Sequence, residues 1–316
     1  MLIGSVHTRS IARLAPMAGA TNAPFRLIAR ECGSGLTTTE EMDAAALLSN
    51  HPHADAIAAY YPTERPLAMQ LLGKDAGTLA RAAERVQALG ADIVDLNMGC
   101  PMPKITGKGK GAALMRDVAG TAHILRALRK AVGVPLTIKI RGGWDDEHLN
   151  AVEVAQMAES EGVDAITVHP RTRSQRFTGK APWAIIREVV EAVQIPITGN
   201  GDVRSMAEAR RMMAETGCRS VMIGRGALGS PWVFDEELDT LPADGQRARK
   251  ARVIRRHFEL IREHFREKYA LIQMKKHLAW YTEGLGHATR CRAEIFQSRS
   301  AEEVWAVFSR YWEAAE

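Results

Sequence analysis

The 316-residue chain holds only four cysteines, Cys32, Cys100, Cys218 and Cys291. None belongs to a Cys-x-x-Cys pair, so neither a zinc site nor a disulfide framework is expected. No apolar run approaches the roughly 18 residues needed to cross a bilayer. The segment Met1 to Ser10 lacks a long apolar stretch after basic residues and does not read as a secretion signal. A cytoplasmic location, with no membrane and no metal, is the resulting expectation. A doubly wound fold would announce a Gly-x-Gly-x-x-Gly turn after its first strand, and Ala15-Pro16-Met17-Ala18-Gly19 stands there instead.

What is present is the composition of a soluble globular chain, 46% hydrophobic and 25% charged. Its net charge of +5 is unevenly placed. Residues 243–316 carry 15 Lys/Arg against 10 Asp/Glu, which leaves 27 of each sign before them. A basic excess confined to one end suggests a polyanionic partner, against the plainer reading of a solvated basic helix.

Strand and helix signals alternate from Ile11 to about Trp232. Asp75 is placed to cap a helix that Gly90 closes, and Ser205 with Glu208 fits a capping box before a helix ending at Gly217. Gly90, Gly162 and Gly217 each lead straight into a strand, and Pro135 and Pro196 introduce two more. Eight strands are predicted: Arg13–Ala15, Leu36–Thr39, Leu67–Leu71, Asp92–Leu96, Leu136–Ile140, Asp164–Val168, Ile197–Thr198 and Ser220–Ile223. Eight strand–helix units in this length match an α/β fold of the (β/α)8 TIM-barrel class. The pattern stops at the linker Leu241-Pro242-Ala243-Asp244-Gly245. The expected division is therefore a barrel over 1–241 and a small helical unit over 242–316. In the latter, Val253, Ile254, Phe258, Ile261 and Phe265 form one stripe of a helix from Arg247 to Lys268. Helices at Gln273–Tyr281 and Ala301–Trp312 follow, with no strand.

Parallel barrels carry their chemistry at the carboxyl ends of strands. Alternation along the fifth strand puts Thr137, Lys139 and Arg141 on the inner face, and the same rule turns Asp95 and Asn97 inward. A lysine facing inward needs an anionic partner, either Asp95 or a ligand at the mouth. The last two strands end in Gly199-Asn200-Gly201 and Gly224-Arg225-Gly226. Paired glycine turns with an arginine at these two strands suit a phosphate. Cys100, in Gly99-Cys100-Pro101, sits just past a strand end. It is either a small buried residue or a thiol able to donate a proton. The basic, glycine-rich stretch from Lys104 to Gly111 reads as a mobile lid or as a solvated loop.

These residues resemble a known family. Asn97-Met98-Gly99-Cys100-Pro101 with Lys104 and Gly111-Ala112-Ala113-Leu114 is similar to the signature of tRNA-dihydrouridine synthases. So are Ala15-Pro16-Met17-Ala18-Gly19, Gln70, Lys139-Ile140-Arg141, His169 with Arg171-Thr172-Arg173, Asn200-Gly201-Asp202 and Met222-Ile223-Gly224-Arg225. The likeness spans the whole barrel, extends to the basic helical tail, and is greatest to the bacterial B subgroup. One departure is Pro170, where the pattern has glycine.

The resemblance implies FMN at the barrel mouth, NADPH as reductant and tRNA as partner. Pro16, Met17 and Ala18 would line the flavin ring, Gln70, Lys139 and His169 would meet its polar edge, and Asn200, Gly201, Asp202, Gly224 and Arg225 would hold its phosphate. Cys100 would be the proton donor, with Asn97, Lys104, Arg141, Arg171 and Arg173 on the substrate side. The implied product is dihydrouridine in the tRNA D-loop, with position 17 favoured. The rival reading is an FMN barrel acting on a free pyrimidine, which would have no use for the basic tail.

Overall fold

The computed structural model describes residues 1–284 and 286–314; Leu285, Ala315 and Glu316, inside the expected helical unit, lie outside the described residues. Its strands are β1 (Leu2–Ile3), β2 (Val6–His7), β3 (Ala12–Leu14), β4 (Thr37–Thr38), β5 (Met42–Asp43), β6 (Leu67–Leu72), β7 (Ile93–Met98), β8 (Leu136–Arg141), β9 (Ala165–His169), β10 (Ile197–Asn200) and β11 (Ser220–Ile223). Its helices are α1 (Ala23–Glu31), α2 (Ala44–Leu48), α3 (Pro52–Ala58), α4 (Ala76–Ala88), α5 (Pro103–Thr106), α6 (Val118–Ala131), α7 (Ala151–Ser160), α8 (Ala184–Ala192), α9 (Met206–Thr216), α10 (Ala243–His264), α11 (Glu267–Tyr281), α12 (Ala288–Gln297) and α13 (Ala301–Glu313).

The sheet runs β3-β11-β10-β9-β8-β7-β6-β4, parallel at each pairing, with β5 extending the edge of β6. Backbone bonds from Leu14 to Leu36 (3.2 Å) and from Gly35 to Ala12 (2.8 Å) join β3 to the segment entering β4 and close the ring. This is the expected (β/α)8 barrel, and all eight expected strands are present. The short antiparallel hairpin β1–β2 precedes it and was not foreseen.

Strand alternation sorts the two faces. Val94, Leu96, Met98, Ile138 and Ile140 point to the helices and are buried in the main apolar core. Gln70, Asp95 and Thr137 fall on the other face in one layer of the register, and Asn97, Lys139, Thr167 and Thr198 in the layer above it. The barrel interior is therefore polar, and most of its groups hydrogen-bond to one another, as buried polar groups generally do. Asp75 caps α4 through the Thr78 amide, and Ser205 caps α9 through the Glu208 amide. The capping box is only half formed, because the Glu208 carboxylate accepts from the Arg204 amide (2.7 Å) instead of that of Ser205.

The C-terminal helices enclose a second core, in which Ile254, Phe258, Ile261, Met274, Ile295 and Phe308 are buried. No strand occurs there among the described residues. The single helix expected from Arg247 to Lys268 is in fact two. Phe265 leaves the helical region at φ −110°, ψ 149°, and α11 begins at Glu267. The Phe265 ring packs edge-on against His264 (4.6 Å) and Tyr269 (5.0 Å), so the break carries its own local ring contacts and no glycine or proline. Helix α12 was also not foreseen. Leu260 of α10 packs on Leu27, Ile28 and Cys32, which seats the helical region against α1 and the turn after it.

Candidate active site

A cavity of about 730 Å³ opens at the carboxyl ends of the strands. Its wall takes Pro16, Met17 and Ala18 from the loop after β3, Asn97 and Cys100 from the end of β7, and Lys139 and Arg141 from β8. His169, Asn200, Gly201, Asp202, Gly224 and Arg225 complete it from the last three strands. The structure thus gathers most of the residues singled out in the sequence around one space.

A chain of hydrogen bonds positions Cys100. Thr137 Oγ1 and Gln70 Nε2 donate to the two oxygens of Asp95 at 2.5 and 2.7 Å. Asn97 Nδ2 donates to Gln70 Oε1 at 2.8 Å, and Asn97 Oδ1 accepts from the amides of Gly99 (3.1 Å) and Cys100 (2.9 Å). Gln70 is fully buried and lies outside the cavity wall. It meets the cavity wall through Asn97. Burial pushes the half-buried Cys100 thiol up, with Glu41 adding to the effect, so the sulfur keeps its proton.

Lys139 Nζ donates to Asn200 Oδ1 at 3.0 Å, and Asn200 Nδ2 is held by the Met222 carbonyl at 2.8 Å. Among the described residues no ion pair joins Lys139 to Asp95, whose carboxylate is taken by Gln70 and Thr137. Burial lowers the Lys139 ammonium to about 7, with neighbouring Arg141 contributing to the fall. The ammonium therefore sits at the cavity without an anion of the protein against it. Burial also lowers His169 well below its ordinary value, so the ring is neutral, and its buried Nδ1 has no hydrogen-bond partner among the described residues.

Arg141 donates Nε to the Gly99 carbonyl (2.7 Å) and Nη1 to the carbonyls of Thr172 (2.9 Å) and Arg176 (2.8 Å). It therefore ties the cysteine turn to the loop after β9. Asp202 accepts from Arg171 Nη2 (2.7 Å) and the Ala181 amide (2.8 Å), and lies 3.5 Å from Arg225. Its carboxylate is engaged within the protein, so at an anion site it would orient Arg225 and present backbone. Gly201, at φ +134° and with Ala181 Cβ within 2.9 Å of where a side chain would begin, admits only glycine.

Three residues expected on the substrate side stand apart from the wall. Arg171 is 1% exposed and lies beneath the 172–180 loop. Arg173 stacks on Trp144 at 4.6 Å, outside the cavity. Lys104 is exposed on α5, and that helical turn replaces part of the expected lid, while Lys110 is paired with Asp43. Pro170 is accommodated: its carbonyl packs directly on Gly142 and its ring lies near Gly201.

The sequence reading missed Glu41, Phe177, Lys276 and Trp280, all of which line the cavity. The Phe177 ring has the guanidinium groups of Arg141 (5.5 Å) and Arg225 (5.2 Å) against it. Lys276 and Trp280 come from α11, so the helical region reaches the site itself.

The dihydrouridine synthase family model matches residues 13–315. A probable tRNA-dihydrouridine synthase of Rhodobacter capsulatus is 39% identical over 294 residues, covering 90% of this chain and 89% of the relative. The tRNA-dihydrouridine synthase B of Pseudomonas aeruginosa is 38% identical over 288 residues, covering 89% and 86%. Among solved structures, a 2-naphthoyl-CoA reductase in complex with 2-naphthoyl-CoA aligns with a TM-score of 0.61 at 13% identity. That alignment covers 76% of this chain and 51% of the other, and it bears on the fold alone. No helix among the described residues is long and apolar enough to cross a membrane. With a family match across nearly its full length and relatives this similar, the chain belongs to the dihydrouridine synthase family.

Proposed function

We propose that this chain is a flavin-dependent oxidoreductase that reduces the uracil 5,6 double bond of D-loop uridines in tRNA, with NADPH as the source of electrons. The observation that carries the reading is the presence of the Cys100 thiol and the Lys139 amine on the wall of one cavity. FMN fits the remaining wall. Arg225 with the Gly201 and Gly224 turns suits its phosphate, Pro16, Met17 and Ala18 offer an apolar face, and the orphaned Nδ1 of His169 offers a polar contact. When bound, the flavin would supply hydride to one carbon of the uracil double bond.

The chain's own residues do the rest. Lys139 places a positive charge where negative charge accumulates on the reduced ring. Cys100 delivers the proton to the second carbon, and its thiolate recovers a proton from solvent. The Asp95–Gln70–Asn97 chain holds the Cys100 turn in place during this exchange. The target uridine lies within folded RNA and must be extruded to reach the cavity. The basic helices meet phosphates without reading bases.

The test is to purify the protein, record its flavin absorbance, and supply NADPH with unmodified tRNA. Dihydrouridine at a D-loop position, with 17 the first to examine, is the expected product. Reduction of free uracil or uridine without activity on tRNA would replace this reading with the small-molecule one.

A further inference from the structure

The C-terminal helices do more than present charge to RNA. Lys276 Nζ donates to the Gly19 carbonyl, and the Gly19 amide donates to Glu40 Oε2 at 2.6 Å. Gly19 is thus gripped on both sides, by an ammonium of α11 and a carboxylate following β4. It ends the Pro16–Ala18 segment of the cavity wall. One turn further along α11, the Trp280 carbonyl lies so close to Gly229, after β11, that a side chain there would collide with it. Helix α11 is therefore bonded to the barrel rim at Gly19 and packed on it at Gly229, and Lys276 and Trp280 both line the cavity.

Two large aromatic rings line the cavity, Phe177 and Trp280. Phe177 is already attended by two guanidinium groups. Trp280 is braced by the His277 ring in an edge contact at 5.0 Å and by Lys276 at 5.8 Å. An aromatic side chain on the cavity wall suits a second flat ring. Unstacked bases are commonly received on aromatic side chains, each stack contributing about 1–3 kcal/mol.

We propose that Trp280 is a surface on which the extruded uridine rests. This rests on the proposed action on tRNA. It assigns to the helical region a direct part in receiving the nucleotide, separate from phosphate binding.

The test compares Trp280→Ala, Trp280→Phe and the parent, all checked for melting temperature and flavin content. Cofactor-free protein is titrated with tRNA carrying 2-aminopurine beside the target uridine, whose fluorescence rises when its neighbour unstacks. The parent should show binding with a fluorescence rise. Trp280→Ala should bind more weakly by no more than the stacking factor, lose most of the rise, and lower kcat/KM for tRNA about 5–150-fold, the factor that ~1–3 kcal/mol of stacking represents. Trp280→Phe should restore most of both. An alanine variant with the parent's fluorescence rise and kcat/KM would overturn the proposal. So would an alanine variant that loses flavin and melting temperature together without rescue by phenylalanine, which would make Trp280 a packing residue only. A parent that neither binds nor modifies tRNA would instead remove the proposed function.

Discussion

Lys139 and Asn200 meet across the barrel mouth, Nζ to Oδ1 at 3.0 Å, and this bond carries no charge of its own to balance the ammonium. Asn200 is fixed in turn by the Met222 carbonyl, so the lysine is aimed but not neutralised. A charge in that condition is costly to bury. The cost appears as the lowering of Lys139 to about 7, caused first by burial and then by Arg141.

The sign of this effect gives a prediction. In the unfolded chain the lysine holds its proton to about 10.4. Between about pH 7 and that value the unfolded state binds the extra proton, so this group makes stability rise with pH, and its full cost is present below pH 7. The reduced, anionic flavin ring would reverse the balance. Reduction of the bound flavin at pH 8 should therefore take up close to one proton beyond those the ring itself gains, read from the slope of reduction potential against pH. Lys139→Met should abolish this extra uptake and shift the reduction potential of bound flavin downward. Equal uptake in both proteins would remove Lys139 from this role.

Cys100 is held by the amide bonds of its turn to Asn97 and kept protonated by burial. Cys100→Ala should leave reduction of the flavin by NADPH intact and slow uridine reduction about 10²–10⁴-fold, the usual range for general acid catalysis. The parent's rate should fall at alkaline pH, above the ordinary thiol value of about 8.5, and the alanine variant should lack that limb. Normal turnover by the alanine variant would make Cys100 a packing residue.

Arg225 is half exposed at the cavity and lies 3.5 Å from Asp202, too long for a strong pair. Its guanidinium remains available to a phosphate. Arg225→Ala should purify with several-fold less flavin, because a charge-assisted fork is lost. Asp202→Asn offers a contrast, since Asp202 also anchors the nearly buried Arg171. That variant should lower thermal stability as well as flavin content. Unchanged flavin in Arg225→Ala would place the phosphate elsewhere.

The barrel was legible in the sequence because strand alternation and the glycine joints are local signals. Lys139, Asp95 and Asn97 could be turned inward from that alternation alone, and the register agrees. The strands of the β1–β2 hairpin are two residues each, too short to show any period. The break at Phe265 and Arg266 has no glycine or proline to mark it, and the ring contacts that accompany it leave no sequence pattern. Gln70 could be placed on the inner face, but not beneath Asn97, since layer order depends on how neighbouring strands are staggered. Lys276 looked like one more tail cation, and its bond to Gly19 spans 257 positions of chain.

The other tail cations differ from one another just as much. From Arg247 to His277 the chain has 11 Lys/Arg against three acids, and by sequence they are interchangeable. The structure separates them. Arg249 is bound to Asp235 at 2.7 Å, whose side chain is only 7% exposed, and Arg256 lies 3.6 Å from Glu31. Both pairs join α10 to the barrel. Arg262 reaches Glu302, Lys275 the Phe296 carbonyl, and Arg255 the face of Trp305. Arg252, Arg266 and Lys268 are exposed and have no ion pair or side-chain hydrogen bond among the described residues. A phosphate backbone can engage these three without first breaking an interaction within the protein. Replacing them together by glutamine should weaken tRNA binding and flatten the dependence of log K on log salt by about two to three units, at slightly under one unit for each phosphate no longer neutralised. Flavin content and melting temperature should stay at the parent's values. Arg249→Gln with Arg256→Gln should do the opposite, lowering the melting temperature while changing the salt slope less. Exposed pairs contribute at most about 1 kcal/mol, but the nearly buried Asp235 would lose its partner and cost more. If the triple variant keeps the parent's slope, the RNA-facing surface lies elsewhere on the helices. If the double variant flattens the slope more than the triple, Arg249 and Arg256 exchange their protein partners for phosphate when RNA binds.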